Sequence, residues 1–197
     1  MKPPRDIPAD LLNEFTLNNR IAVQYRYIDN TSFIDNHKFY NRRDIDDYID
    51  KIRKGETFYY GRTDNFLRQA FTQFPIKNKR IGIIGSQKPL YESFVLAYHG
   101  IPITIEYHKI ETDDNRLSLL TVEEFEKNPQ QFDAVLSISS IEHDGLGRYG
   151  DPINPEGDFK AMTKIGEISC HTFGLVKTKK NSSPNKIAKN VYKILFY

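Results

Sequence analysis

Residues able to do chemistry concentrate in three short stretches. In the run from residue 139 to residue 158, Ser-Ser-Ile-Glu-His-Asp-Gly-Leu-Gly-Arg-Tyr-Gly-Asp-Pro-Ile-Asn-Pro-Glu-Gly-Asp, His143 is the best candidate for a general base. A neutral imidazole near physiological pH can take a proton from an attacking hydroxyl or amine. Glu142 or Asp144 beside it could orient the ring. The same histidine could equally bind loop backbone in a structural role. Gly145, Gly147 and Gly150 suit either a loop folded over a ligand or a tight surface turn.

The second stretch is Gly85-Ser86-Gln87-Lys88-Pro89. A glycine lets such a turn come close to a ligand, and the helix that follows offers free amides and partial positive charge to an anion such as a carboxylate. The full G-x-G-x-x-G pattern is absent: Gly82 falls inside the preceding apolar run, and Gln87 and Leu90 are not glycine. Pyrophosphate pressed on backbone needs those small residues, so the departure disfavours NAD.

The third stretch centres on Glu106, about 20 residues beyond the glycine turn, the offset at which dinucleotide folds place an acid on ribose hydroxyls. An ordinary solvated strand-end acid would look the same, and Glu111, Asp113 and Asp114 lie close enough to substitute. Tyr107 could cover an adenosine or simply pack. The acids Asp144, Asp151, Glu156 and Asp158 raise a metal alternative, but their spacing does not fit the calcium-loop template, and no metal is expected. His37, His99, His108 and His171 form no ligand pair, and Cys170 reads as a small apolar residue.

Elements must position these groups. Period-two apolar residues Ile21, Val23, Tyr25 and Tyr27 predict a strand over 20–28. Ile45, Tyr48, Ile49 and Ile52 predict a helix over 44–54, stopped by Gly55. A second helix is expected over 63–74, capped by Thr63 or Asp64 and ended by Pro75. Residues 80–86 form a continuous apolar run suited to a strand buried on both faces. A helix opening at Pro89 and closed by Gly100 leads to a strand over 102–107, which makes a β-α-β unit. Thr121 and Glu124 form a capping box for a helix ended by Pro129, and residues 132–139 make another buried strand. Strand and helix alternate as in a parallel α/β sheet, with ligand loops beyond the carboxyl ends of the strands. Ser139 and Ser140 occupy one such loop.

A chain of 197 residues with 39% apolar content can bury one sizeable core. Its net charge of +2 comes from 28 basic and 26 acidic residues mixed along the chain, so neither nucleic acid nor a membrane is indicated as a partner. One cysteine and no apolar run of signal-peptide or membrane-spanning length point to a cytoplasmic protein.

The 139–158 run resembles the signature of a domain family of unknown function related to class I S-adenosylmethionine-dependent methyltransferases. Gly85-Ser-Gln, Ile105-Glu-Tyr and residues 59–64, Tyr-Tyr-Gly-Arg-Thr-Asp, sit where that family has similar segments, and the likeness covers about residues 55–165. It implies a Rossmann-like, mostly parallel α/β sheet of class I methyltransferase type, with S-adenosylmethionine as cofactor. Gly85, Ser86, Gln87, Glu106, Tyr107, Ser139 and Ser140 would form the cofactor site, with Glu142 and His143 as the catalytic pair. The expected organisation is an appendage of one strand and one helix over 1–54, the α/β domain over 55–176 and a basic, flexible tail over 177–197. A helix over 159–165 and a fifth strand over 168–176 are expected, with the remaining C-terminal strands missing or divergent. The expected activity is methyl transfer from S-adenosylmethionine to an unknown acceptor, with a small-molecule ligand as the expected partner. The alternative is a catalytically inactive or truncated methyltransferase-like ligand-binding protein.

Overall fold

Three buried apolar runs dictate the architecture. In the structure, a computed structural model describing residues 2–23, 25–29, 38–169 and 172–175, these runs become neighbouring parallel strands. They are β2 (Arg80–Ile84), β3 (Ile101–Glu106) and β6 (Ala134–Ile138); β5 (Ser118–Thr121) and β7 (Thr172–Leu175) flank them. The sheet order is β5-β3-β2-β6-β7, and every pairing is parallel. Ile81, Ile83, Val135 and Leu136 are at most 2% exposed, as covered faces on both sides of a parallel sheet require. Each such side chain contributes about 1.5–3 kcal/mol by leaving water.

Helices lie between the strands in sequence, giving a Rossmann-like α/β fold. They are α4 (Leu90–Ala97) between β2 and β3, α5 (Val122–Lys127) between β5 and β6, and α6 (Gly157–Ile168) between β6 and β7. The capping box forms as expected: Glu124 N–H donates to Thr121 Oγ1 at 3.1 Å, and Thr121 N–H to Glu124 Oε2 at 2.7 Å. Ahead of them come α2 (Arg42–Arg53) and α3 (Arg62–Gln73). Asn41 Oδ1 caps α2 by accepting from Asp44 N–H. At its other end Gly55 takes φ +82°, while Gly55 and Glu56 N–H reach the Ile52 and Lys51 carbonyls, a Schellman stop. The expected cap of α3 is different: Gly61 stands at the cap position, and buried Asp64 instead accepts from Phe58 N–H.

Two short strands bring α2 to the sheet. β1 (Lys38–Tyr40) pairs in parallel with β4 (Ile110–Thr112), which lies in the connection between β3 and β5. Thr112 Oγ1 donates to the Tyr40 carbonyl, and Arg42 N–H to Asp113 Oδ1. Buried Asp114 accepts from Arg116, which also reaches Asp46 on α2, and the guanidinium holds the Asp114 carboxyl below its usual range. The helix α2 then packs on α4, where fully buried Ser93 allows close approach and donates to the Ile45 carbonyl.

Contacts divide the chain into two compact units, Met1–Asn36 with Ile141–Lys164 and His37–Ser140 with Ile165–Tyr197; the sheet belongs to the second. The first unit holds α1 (Leu12–Phe15) and the glycine-rich stretch. It contains no strand over the described part of 20–28, contrary to the period-two pattern. Ile21, Val23, Tyr25 and Tyr27 are 39–54% exposed. Alternation makes a strand only where a neighbour supplies the ladder and a core covers one face, and among the described residues this segment has neither. The tail from residue 176 onward, Cys170, His37 and His171 lie outside the described residues. Among the described residues no helix is long and apolar enough to cross a membrane.

Gly82, inside β2, faces the Phe132 ring, and a Cβ there would stand 2.9 Å from Phe132 Cδ2. That ring is itself fixed by stacking on Phe125, with centroids 5.9 Å apart. We therefore expect Gly82→Ala to lower stability by about 1–3 kcal/mol through overpacking. A reduced urea midpoint with an unchanged slope would show it, and an unaltered midpoint would contradict the packing described.

Candidate functional site

The strand order reverses at β2. From β2 the chain steps to β3 and β5 on one side, then returns to lay β6 along the other. In such sheets ligands meet the crevice beyond the carboxyl ends of the two strands at the reversal. Those ends carry Gly85-Ser86 and Ser139-Ser140, so the topology brings together two of the stretches singled out from sequence.

They touch. Gly85 turns with φ +74°, and a Cβ on it would stand 2.0 Å from Ser140 Oγ. The space left open by the glycine is thus filled by Ser140, while Gly85 N–H donates to the Ile105 carbonyl at 3.1 Å. Ser139 takes φ +54°, a left-handed conformation uncommon for a residue with a side chain.

Glu106, at the end of β3, holds the neighbouring turn. Its Oε2 accepts from Ser86 N–H at 2.9 Å and its Oε1 from Tyr107 N–H at 2.9 Å. Glu106 is half-buried, Tyr107 is 51% exposed and Gln87 is exposed. Ser86 is buried and doubly used: its hydroxyl donates to the Lys88 carbonyl at 3.0 Å and accepts from Tyr40 at 3.1 Å.

Behind this turn lies Glu92, which sequence reasoning missed. It sits in the first turn of α4, is fully buried, and accepts from Thr104 Oγ1 at 2.7 Å. Burial pushes its carboxyl from an ordinary 4.5 up to about 6. The Thr104 bond, its own amide and the nearby Ser86 hydroxyl oppose the rise, while the Glu106 carboxylate adds to it. Glu92 Oε2 has no hydrogen-bond partner among the described residues. Burial first, and then Glu92, lifts the Tyr40 phenol well above its usual range. The signal for Glu92 was present as a lone acid in the apolar run Leu-Tyr-Glu-Ser-Phe-Val-Leu-Ala.

Glu142 and His143 belong to the other unit, in a 3-10 turn at Ile141–His143. Burial lowers the His143 pKa; Glu142 and Asp151 pull it up and Arg148 pushes it down, and the ring meets Tyr149 edge-on at 6.2 Å. The loop that follows is organised by Asp151, whose carboxylate accepts from the amides of Gly145, Gly147 and Tyr149 at 2.9–3.2 Å. Asp151 had entered only as one of several acids. Among the described residues no group of three or more histidine, cysteine or acidic side chains could hold a metal ion.

The Glu92 environment makes stability depend on pH. Its proton is held more tightly in the folded state, so its favourable contribution is full below about pH 4.5 and is lost as pH rises through about 6. The gap is worth about 2 kcal/mol. Glu92→Gln, which cannot ionise, should gain about that much relative to the unaltered protein between about pH 4 and about pH 8. Urea titrations of both proteins at each pH would measure the difference, and one independent of pH would refute the assignment.

Comparison with known proteins adds one match. No curated protein and no solved structure significantly matches the chain. Residues 78–174, just under half of the chain, match the family described as Caenorhabditis protein of unknown function, DUF268. The matched stretch contains the Gly85 turn, Glu106 and most of the Rossmann-like sheet. In that stretch the chain is therefore similar to a domain family of unknown function, as its glycine-rich run led us to expect, and the match carries no link to methyltransferases.

Proposed function

We propose that the protein binds S-adenosylmethionine through the switch-point loops and transfers its methyl group to an acceptor. The observation that carries this reading is the placement of Glu106. Its carboxylate ends the strand next to β2, is half-buried, and uses one acceptor position of each oxygen on Ser86 and Tyr107 amides. Each oxygen has a second lone pair, so the group can still accept from the two ribose hydroxyls of a nucleoside. Tyr107 lies beside it, exposed enough to cover a base.

Bound S-adenosylmethionine would supply an electrophilic methyl group. His143 suits the complementary task, since burial favours its neutral form and a neutral imidazole can accept the acceptor's proton. The alternative is ligand binding without catalysis.

Isothermal titration calorimetry with S-adenosylhomocysteine tests the cofactor reading. Saturable binding is expected, weakened about tenfold or more by Glu106→Gln, which removes a charged acceptor. A folded sample that binds neither this ligand nor S-adenosylmethionine would end it, and tight binding of NAD would replace it with an oxidoreductase. Methyl transfer lost in His143→Ala, with S-adenosylhomocysteine binding retained, separates the enzyme from the binding protein.

A further inference from the structure

The glycine-rich loop is closed on one carboxylate whose two oxygens do different work. Asp151 Oδ2 accepts from the Gly145 and Gly147 amides at 2.9 and 3.0 Å, and Oδ1 accepts from the Tyr149 amide at 3.2 Å. The two glycines take left-handed φ, +85° and +68°, so their bonds hold the turns of the loop. Backbone bonds support the same turns, from Asn154 N–H to the Gly145 carbonyl and from Gly150 N–H to the Gly147 carbonyl. The bond to Oδ1 instead fixes the backbone that carries the Tyr149 ring.

That ring bears on His143. The two rings lie edge-on with centroids 6.2 Å apart and planes at 65°, within the range at which aromatic pairs attract. The Arg148 guanidinium lies over the Tyr149 ring, 5.1 Å from its centroid. The backbone of His143 is held separately, its carbonyl accepting from Leu146 N–H at 3.2 Å. Such a bond sets the course of the chain but not the side-chain torsions that aim an imidazole. The charged groups acting on the imidazole are Glu142, Arg148 and Asp151. Asp151 thus has two routes to His143, one through the Tyr149 ring and one through its charge.

We propose that Asp151 is a positioning residue for His143 and acts through Tyr149: Oδ1 holds the Tyr149 amide, and the Tyr149 ring sets the orientation of the imidazole. The inference rests on the reading of His143 as the general base and adds the residues that aim it. Aim matters, since a reacting group displaced by about 1 Å can cost about a hundredfold in rate.

Asparagine at position 151 is a selective probe. Its one carbonyl oxygen has two lone pairs, enough for the Gly145 and Gly147 amides, and its NH2 group then faces the Tyr149 N–H, donor against donor. The reverse orientation would set the NH2 group against both glycines. Asp151→Asn therefore breaks the Tyr149 bond while the loop stays closed.

The test is proton–carbon NMR of the His143 ring in the full chain, in the unaltered protein, Asp151→Asn, Tyr149→Ala and the double variant. Tyr149→Ala should shift the His143 ring protons by removing the ring current of its neighbour. Asp151→Asn should produce about half or more of that shift, and the double variant should match Tyr149→Ala, because the two residues act in series. Gly145 and Gly147 amides that still exchange slowly in Asp151→Asn would show the loop closed. Unmoved ring protons in either single variant would overturn the proposal. In Asp151→Asn that result, with a lowered His143 pKa, would mean that Asp151 acts by charge alone, since its carboxylate holds that pKa up. Fast exchange at both glycines would overturn it as well, by making Asp151 a residue of the loop's fold. None of these measurements needs S-adenosylmethionine, so coupling in a chain that binds no nucleoside supports the positioning and refutes the cofactor reading alone. Where methyl transfer is measured, Asp151→Asn should lower kcat about tenfold to a hundredfold with S-adenosylhomocysteine affinity unchanged, and an unaltered kcat would overturn the proposal.

Discussion

Parallel pairing of β2 with β6 puts the residues leaving the two strands side by side, since Ile84 is in register with Ser137. Two ordinary side chains cannot share the space directly beyond. Gly85 resolves the conflict by having no Cβ, so Ser140 can occupy the position. That single close approach sets the direction of the β2 turn. It leaves Ser86 pointing inward, where Tyr40 and the Lys88 carbonyl use its hydroxyl and Glu106 takes its amide. The β1-β4 pair serves the same turn from the opposite side of the sequence, because Tyr40 ends β1 and is fixed by Thr112.

Electrostatics explains how a buried acid is tolerated beside this turn. The first turn of a helix carries partial positive charge, and Glu92 collects the Thr104 hydroxyl and its own amide there. These interactions limit the rise in its pKa without abolishing it. The residual cost of about 2 kcal/mol is a sizeable part of the 5–15 kcal/mol that holds a domain together. Leucine or methionine in the same place would avoid that cost, so an acid there makes sense when it does something a hydrocarbon cannot, such as accept a proton or a donor from a ligand.

The sheet was legible because its signals are local. Ile81, Ile83, Val135 and Leu136 belong to continuous apolar runs, and the Thr121–Glu124 box and the Gly55 stop are written within a few residues. The β1-β4 pair was hidden because two three-residue strands carry too little pattern, and their pairing spans some 70 residues of sequence. Residues 20–28 erred in the opposite direction, since strict alternation there finds no partner strand among the described residues. At the candidate site, Glu106 could be placed from its offset to Gly85, but what fills the glycine's open side could not. Ser140 enters it only through the three-dimensional register of β6. Asp64 shows the same limit: its type suggested a cap, while its burial made it a partner for Phe58.

The glycine-rich stretch gains a physical reading within its own unit. Gly145 turns with φ +85°, and a Cβ on it would stand 2.0 Å from the Asn154 carbonyl oxygen. Gly145 N–H goes to Asp151, and Asn154 N–H returns to the Gly145 carbonyl at 2.9 Å. A loop whose amides converge on one carboxylate is rigid for its length and does not depend on a ligand for its shape. His143 is tied into that frame, with its carbonyl accepting from Leu146 N–H and its ring against Tyr149. A general base works best when its ring is held before the substrate arrives, and a structural histidine would be held no differently. The distinction therefore rests on the proton rather than on the geometry: only a catalytic His143 must gain and release one during turnover.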